Sequence, residues 1–396
     1  MSQRYPEINS LPFSQQVRST LLSILLPHLP LGIVGRNLDD ALAYEILCYA
    51  SVKRISIESA CQTLAEVPCG NTVREHVTAA LIPDREGMEG LEAQLNQTLQ
   101  AQLPRPVRRR LQRCPYEVAC DLVEIPYHGE AQTDEAEVRR GAAKVGTTHF
   151  HMYATLAIVH HQHRFTLALT FVWAGETMER VLDRLLDQAR CLGLRIKCAY
   201  LDKGFCSVAV LQLLRQRRVP YIVPIPQRGG KNGIKQLCCG RQSCRTRYTF
   251  KRTTPQAYTT EVVIVCKYSR GRYHQPGVRY FAYAIYGIDM LNPRQVFEHY
   301  RRRFSIESGY RQLHQVRART ASRHPGLRLL LVGLALMIVN LWVILSHAWV
   351  TITRYGRRLR IISLTLEQVA DALREQLRQL LGVISVLPIR AAHQAA

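Results

Sequence analysis

This chain is short of acid. Only 30 Asp and Glu stand against 53 Lys and Arg in 396 residues, leaving a formal charge of +23 and a pI near 9.9. So basic a surface makes a polyanion, nucleic acid first, the expected partner. Most of the excess is Arg, whose planar fork matches phosphate with paired hydrogen bonds. Ribosomal and basic membrane-surface proteins share this composition, so it sets a partner class and no reaction. Other features are missing as well. The opening M-S-Q-R-Y-P-E-I-N-S has no basic stretch followed by an apolar core, so no secretory signal is read and a cytoplasmic, nucleoid-associated protein is expected. The 12 cysteines form no CxxC-like pairs and meet no histidines at ligand spacing. Cys238, Cys239 and Cys244 are their only cluster, and reduced thiols are expected rather than a zinc site or a disulfide framework. A second long apolar run is also lacking. Leu329 to Leu345 carries no charge, but a lone span of borderline length reads as a buried helix crossing a catalytic core, and no membrane partner is expected.

What is present has an order. Residues 1–104 read as a helical DNA-binding domain, with a helix-turn-helix at 56–81: Ser56 opens one helix, A-E-V-P-C-G-N turns, and Thr72-Val73-Arg74-Glu75 is a capping box for a second. Arg74 lies early in that second helix, where it would meet DNA. A basic Pro-Arg linker follows at 105–114. From Tyr116 the period changes to that of strands, three of them, then a helix, a strand ending on Asp202, a helix and a buried strand. Three strands, helix, strand, helix, strand is the order of a ribonuclease-H-like α/β fold, in which the first and fourth strands are neighbours. The core is expected at 115–228 and 288–352, interrupted by a β-rich insertion at 229–287 and followed by a basic helical tail at 353–396. The insertion mixes Lys and Arg with aromatics, a composition suited to backbone contact and base stacking.

Three acids stand out. Asp121 sits inside the apolar V-A-C-D-L-V, where a carboxylate is costly unless it is paired or binds metal. The strand order sets Asp202 beside it. The third, Glu307, lies in N-P-R-Q-V-F-E-H-Y-R-R-R-F-S-I-E-S-G-Y-R-Q-L-H, read as a helix with Asn292 as cap and Pro293 in its first turn. At about 100° per residue, Tyr300, Arg303, Glu307 and His314 share a sector of roughly 60°.

With these residues in hand, the chain resembles DDE transposases of bacterial and archaeal insertion sequences. It is most similar to the group with the signature Tyr-x2-Arg-x3-Glu-x6-Lys, and within it to the branch first described in haloarchaea. Tyr300, Arg303 and Glu307 keep the spacing, while D-L-V-E-I-P-Y-H-G and L-D-K-G-F resemble that branch's two Asp motifs. His314 stands where the signature has Lys. The resemblance implies that Asp121, Asp202 and Glu307 hold two Mg²⁺ ions, which Mn²⁺ can replace, for in-line phosphoryl transfer. It implies that Tyr300, Arg303 and His314, with Arg311, Arg317 and Arg319 as substitutes for the lost Lys, grip the phosphates of double-stranded DNA, with a homodimer assembling on transposon ends. A structure-selective nuclease or resolvase, and a non-catalytic DNA-binding derivative, remain the alternatives.

Overall fold

A computed structural model describes residues 12–160, 163–227, 233–251, 257–270, 276–302, 311–355 and 358–384. It divides into two compact units, one of residues 1–102 with 312–396 and the other of residues 103–311. Helices α1 (Phe13–His28), α2 (Asp40–Lys53), α3 (Ile57–Cys61), α4 (Gly70–Ala79) and α5 (Arg85–Ala101) open the first unit. Side-chain caps begin three of them. Asp39 accepts the Leu42 N–H at 2.8 Å, Ser56 that of Ser59 at 3.1 Å, and Asp84 that of Gly87 at 2.8 Å. Every residue of α2 from Ala43 to Ser51 is buried, Glu45 included, and Arg18 answers that carboxylate from α1, Nε to Oε1 at 2.8 Å. The last helix of the pair departs from expectation. α4 starts at Gly70, ahead of Thr72, whose hydroxyl lies 3.0 Å from Cys69 Sγ instead of heading a helix. Close packing explains the early start: a Cβ on Gly70 would stand 2.5 Å from Glu58 Cα, so only glycine lets α4 begin against α3.

The second unit begins with α6 (Arg105–Arg113), so the stretch expected as a linker is helical. Pro106 falls in its first turn, where the missing N–H costs nothing, and Leu111 is its buried residue. Strands β1 (Tyr116–Tyr127), β2 (Arg139–Lys144), β3 (Thr147–His160) and β4 (His163–Val172) follow, then α7 (Met178–Cys191), β5 (Ile196–Leu201), α8 (Val208–Gln216) and β6 (Tyr221–Pro224). β2 escaped the sequence reading because R-R-G-A-A-K has no apolar alternation; it is an exposed edge strand on β3. Strands β7 (Cys244–Phe250), β8 (Tyr258–Arg270) and β9 (Pro276–Tyr286) are the expected β-rich stretch, and α9 (Pro293–Arg302) follows them. One mixed sheet has the order β2-β3-β1-β5-β6-β9-β8-β7, with β4 on β3. β1, β5 and β6 are parallel neighbours, and the β7–β9 strands continue the sheet instead of standing apart, Tyr221 of β6 lying opposite Tyr286 of β9.

The first unit resumes with α10 (Pro325–Ala348), the hairpin β10 (Val350–Tyr355) and β11 (Arg358–Ser363), and α11 (Leu366–Leu381). The hairpin occupies a stretch read as tail. α10 contains the long apolar run, extended to 24 residues. It was expected to cross the catalytic core; the helix belongs to the helical unit, where it packs against α1, α2, α4, α5 and α11. It is long and apolar enough to span a membrane, yet 89% of its most apolar window is buried. Its one amide, Asn340, is fully buried and donates to Gln102 Oε1 at 3.1 Å, while Gln102 Nε2 donates to the Met337 carbonyl at 2.9 Å. That satisfied pair places a polar residue inside an apolar helix without the cost of an orphaned group.

Candidate active site

The two aspartates meet through backbone register. β1 and β5 run parallel with Cys120 opposite Leu201, and the Asp202 N–H donates to the Cys120 carbonyl at 3.2 Å. The next residue of each strand is therefore Asp121 and Asp202, neighbours across a ladder spaced about 4.8 Å. Asp121 is 4% exposed and one of its oxygens accepts the Leu122 N–H at 3.0 Å; Asp202 is partly open at its strand end. Gly204 keeps the approach clear, since a Cβ there would lie 2.9 Å from Leu122 Cδ1 and 3.8 Å from Asp202 Oδ2. Two aspartates side by side at the ends of neighbouring strands offer hard oxygen donors, the kind that fits Mg²⁺ or Mn²⁺. Among the described residues no group of three metal-binding side chains gathers, and Glu307 lies outside them, as does Arg303.

Helix α9 is fixed to the same face of the sheet. Asn292 and Gln295 cap it reciprocally, each amide oxygen accepting the other's backbone N–H at 2.9 Å. Val296, Phe297 and Tyr300 pack into the core formed by Ala119, Tyr200, Ile222 and Tyr283. Tyr300, expected to face a DNA phosphate, is instead 4% exposed: its ring lies 5.0 Å from that of Tyr283 and its hydroxyl donates to the Leu201 carbonyl at 3.1 Å. A buried phenol bonded to the residue before Asp202 ties the helix to the strand end. His299 adds a second tie, its Nδ1 lying 3.4 Å from the Tyr200 hydroxyl and 3.8 Å from Glu117 Oε1, which Lys197 approaches at 3.6 Å. Sequence reasoning missed this group. Glu117 and Tyr200 lie at even steps along their strands from Asp121 and Asp202, and so share their face of the sheet, a period-two signal that was there to be used.

The remaining candidates fall along the segment after Glu307 and on α4. Arg311 is exposed, in a helical stretch at 311–315. In the helical unit, His314 and Arg319 are exposed, Arg317 is half-buried, and the Arg319 N–H donates to the Ile55 carbonyl at 3.0 Å. Partial burial, and then the charges of Arg317 and Arg54, push the His314 imidazole below its ordinary pKa. Arg74 is exposed on α4, bonded to Asn71 one turn earlier.

Residues 113–341 match the family described as the transposase DDE domain. The chain belongs to the DDE transposase family. No curated protein matches this transposase. Among solved structures it is similar to piggyBac transposase, seen by cryo-EM in a synaptic complex with hairpin DNA. Identity is 10%, the alignment covers 96% of this chain and 82% of that one, and the TM-score is 0.50. The shared feature is the fold, a mixed α/β architecture about a central mixed sheet.

Proposed function

We propose that this transposase cleaves and joins DNA at the ends of an insertion sequence of the Tyr-Arg-Glu signature group, on a ribonuclease-H-like core. The register that makes Asp121 and Asp202 neighbours supports this reading most. The strand order β4-β3-β1-β5-β6, with its parallel β1, β5 and β6, supports the core assignment. Asp121, Asp202 and Glu307 would hold two divalent cations, Mg²⁺ or Mn²⁺. Such ions, when bound, supply positive charge to the attacking and leaving oxygens of an in-line phosphoryl displacement. The chain's own part is to collect three carboxylates and to hold DNA against them. Buried Asp121 provides the rigid member, and Asp202 the accessible one. Tyr300 acts by position, fixing α9 to the end of β5. Arg303, Arg311, His314, Arg317 and Arg319 supply charge along the DNA backbone, and α3 and α4 present Arg74 to the duplex.

A supercoiled plasmid carrying the element tests the assignment. Glu307→Gln is expected to abolish cleavage while keeping affinity for the ends, and Tyr300→Phe to slow cleavage with affinity unchanged. Arg303→Ala should weaken binding and lower its salt slope by about one phosphate contact. Cleavage surviving in Glu307→Gln would remove the carboxylate assignment. Cleaved ends that never join a new target would make the protein a nuclease.

A further inference from the structure

Away from the carboxylates, the sheet unit contains a cleft of about 610 Å³. Two guanidiniums from distant parts of the chain line it, Arg215 from the end of α8 and Arg247 from β7. The cleft's two acids are already engaged. Arg245 donates to Glu261 Oε2 at 2.8 Å and to Asp289 Oδ1 at 3.0 Å. Arg247 lies opposite Glu261 in the β7–β8 register and so faces a carboxylate that Arg245 already holds.

Arg215 is oriented without any acid among the described residues. Its neighbour in sequence, Arg217, pairs with Asp183 at 2.5 Å and Asp187 at 2.7 Å. Arg215 instead lies over the Tyr286 ring, 5.9 Å from its centroid, beside the Tyr258 hydroxyl. That hydroxyl is buried, and it is a neutral hydrogen-bond partner for the guanidinium rather than an acid. Behind it, the hydroxyls of Tyr221 and Thr260 lie 3.3 Å apart. A guanidinium placed by aromatic rings and a neutral hydroxyl keeps its whole charge, and the rest of its planar fork, for an anion.

We propose that this cleft is a DNA contact separate from the carboxylate site, in which Arg215 and Arg247 each take one backbone phosphate. The inference rests on the reading of the chain as a DNA transposase. Phosphate contact of this kind is independent of base sequence, so a short duplex of arbitrary sequence is a sufficient probe. Its affinity is measured over a range of salt concentrations for the whole protein and for Arg215→Gln, Arg247→Gln and Arg215→Lys. Each Gln variant should lower the magnitude of the log-affinity against log-salt slope by about 0.9, and Arg215→Lys should return most of it, with melting temperatures unchanged. If the native protein binds steeply and the Gln variants keep its slope, the cleft is no phosphate site and the transposase reading stands. A native protein that neither binds duplex nor cleaves would overturn both.

Discussion

At the scale of single residues, His314 is the position where electrostatics makes a signed prediction. Partial burial and two guanidiniums hold its free pKa below the ordinary histidine value. A phosphate docked beside Arg317 would reverse the local field and raise that pKa in the complex. Binding then takes up a proton, so affinity is strongest below the free pKa and is lost as pH rises through the pKa of the complex. End-binding is therefore expected to weaken between about pH 6 and 8, and His314→Lys to flatten the profile while tightening binding at the upper end. Anisotropy titrations of both proteins at both pH values measure this, and parallel profiles would take His314 out of the interface.

At the scale of elements, the pair α3 and α4 depends on one backbone contact. Gly70 puts the start of α4 against Glu58, where an added Cβ would overlap main chain as well as the flexible carboxylate. Main chain cannot swing aside. Gly70→Ala should cost about 1–3 kcal/mol, as overpacking does, and lower the melting temperature. A variant as stable as the native protein would show that the two helices do not meet so closely. α9 rests on more: its reciprocal cap, the packing of Tyr300 and the Tyr200–His299–Glu117 group all fix its register. An element that leads into Arg303 and Glu307 needs that definition, since misplacement by about 1 Å is enough to cost a reaction two orders of magnitude.

At the scale of the whole molecule, the thiols test compartment and packing together. All twelve cysteines are free, with Cys69, Cys191, Cys239 and Cys244 exposed. Burial pushes the Cys48 thiol up to about 12 and raises Cys198 as well, whereas hydrogen bonds from Thr72 lower Cys69. Thiolate is the reactive form, so a disulfide reagent should modify Cys69 first and leave Cys48 and Cys198 until the protein unfolds, when all twelve should react. Fewer than twelve in denaturant would reveal a disulfide, and rapid loss of Cys48 would contradict its burial.

Much of this was legible in the chain itself. Local signals are written in neighbouring residues, so the strands of V-A-C-D-L-V and L-D-K-G-F, the Asn292 cap, and the strand order that sets Asp121 near Asp202 were all within reach. The net charge of +23 likewise points to an acidic polymer whatever the fold. Other matters needed the tertiary structure, because each depends on what a residue meets across the fold. Tyr300 looks like a surface phenol on a helical wheel and became a buried tie to Leu201 only when α9 settled on the sheet. Arg215 reads as one more surface cation until Tyr258 and Tyr286 close around it. R-R-G-A-A-K carries no period of its own and is a strand because β3 offers it an edge. The apolar run of α10 is as suited to one core as to another, and only the close approach of Gly333 to Leu95 and the Asn340–Gln102 pair set it among the N-terminal helices. Periodicity reports which face of an element is apolar, whereas the partner of that face is chosen by shape and hydrogen bonding between residues far apart in sequence.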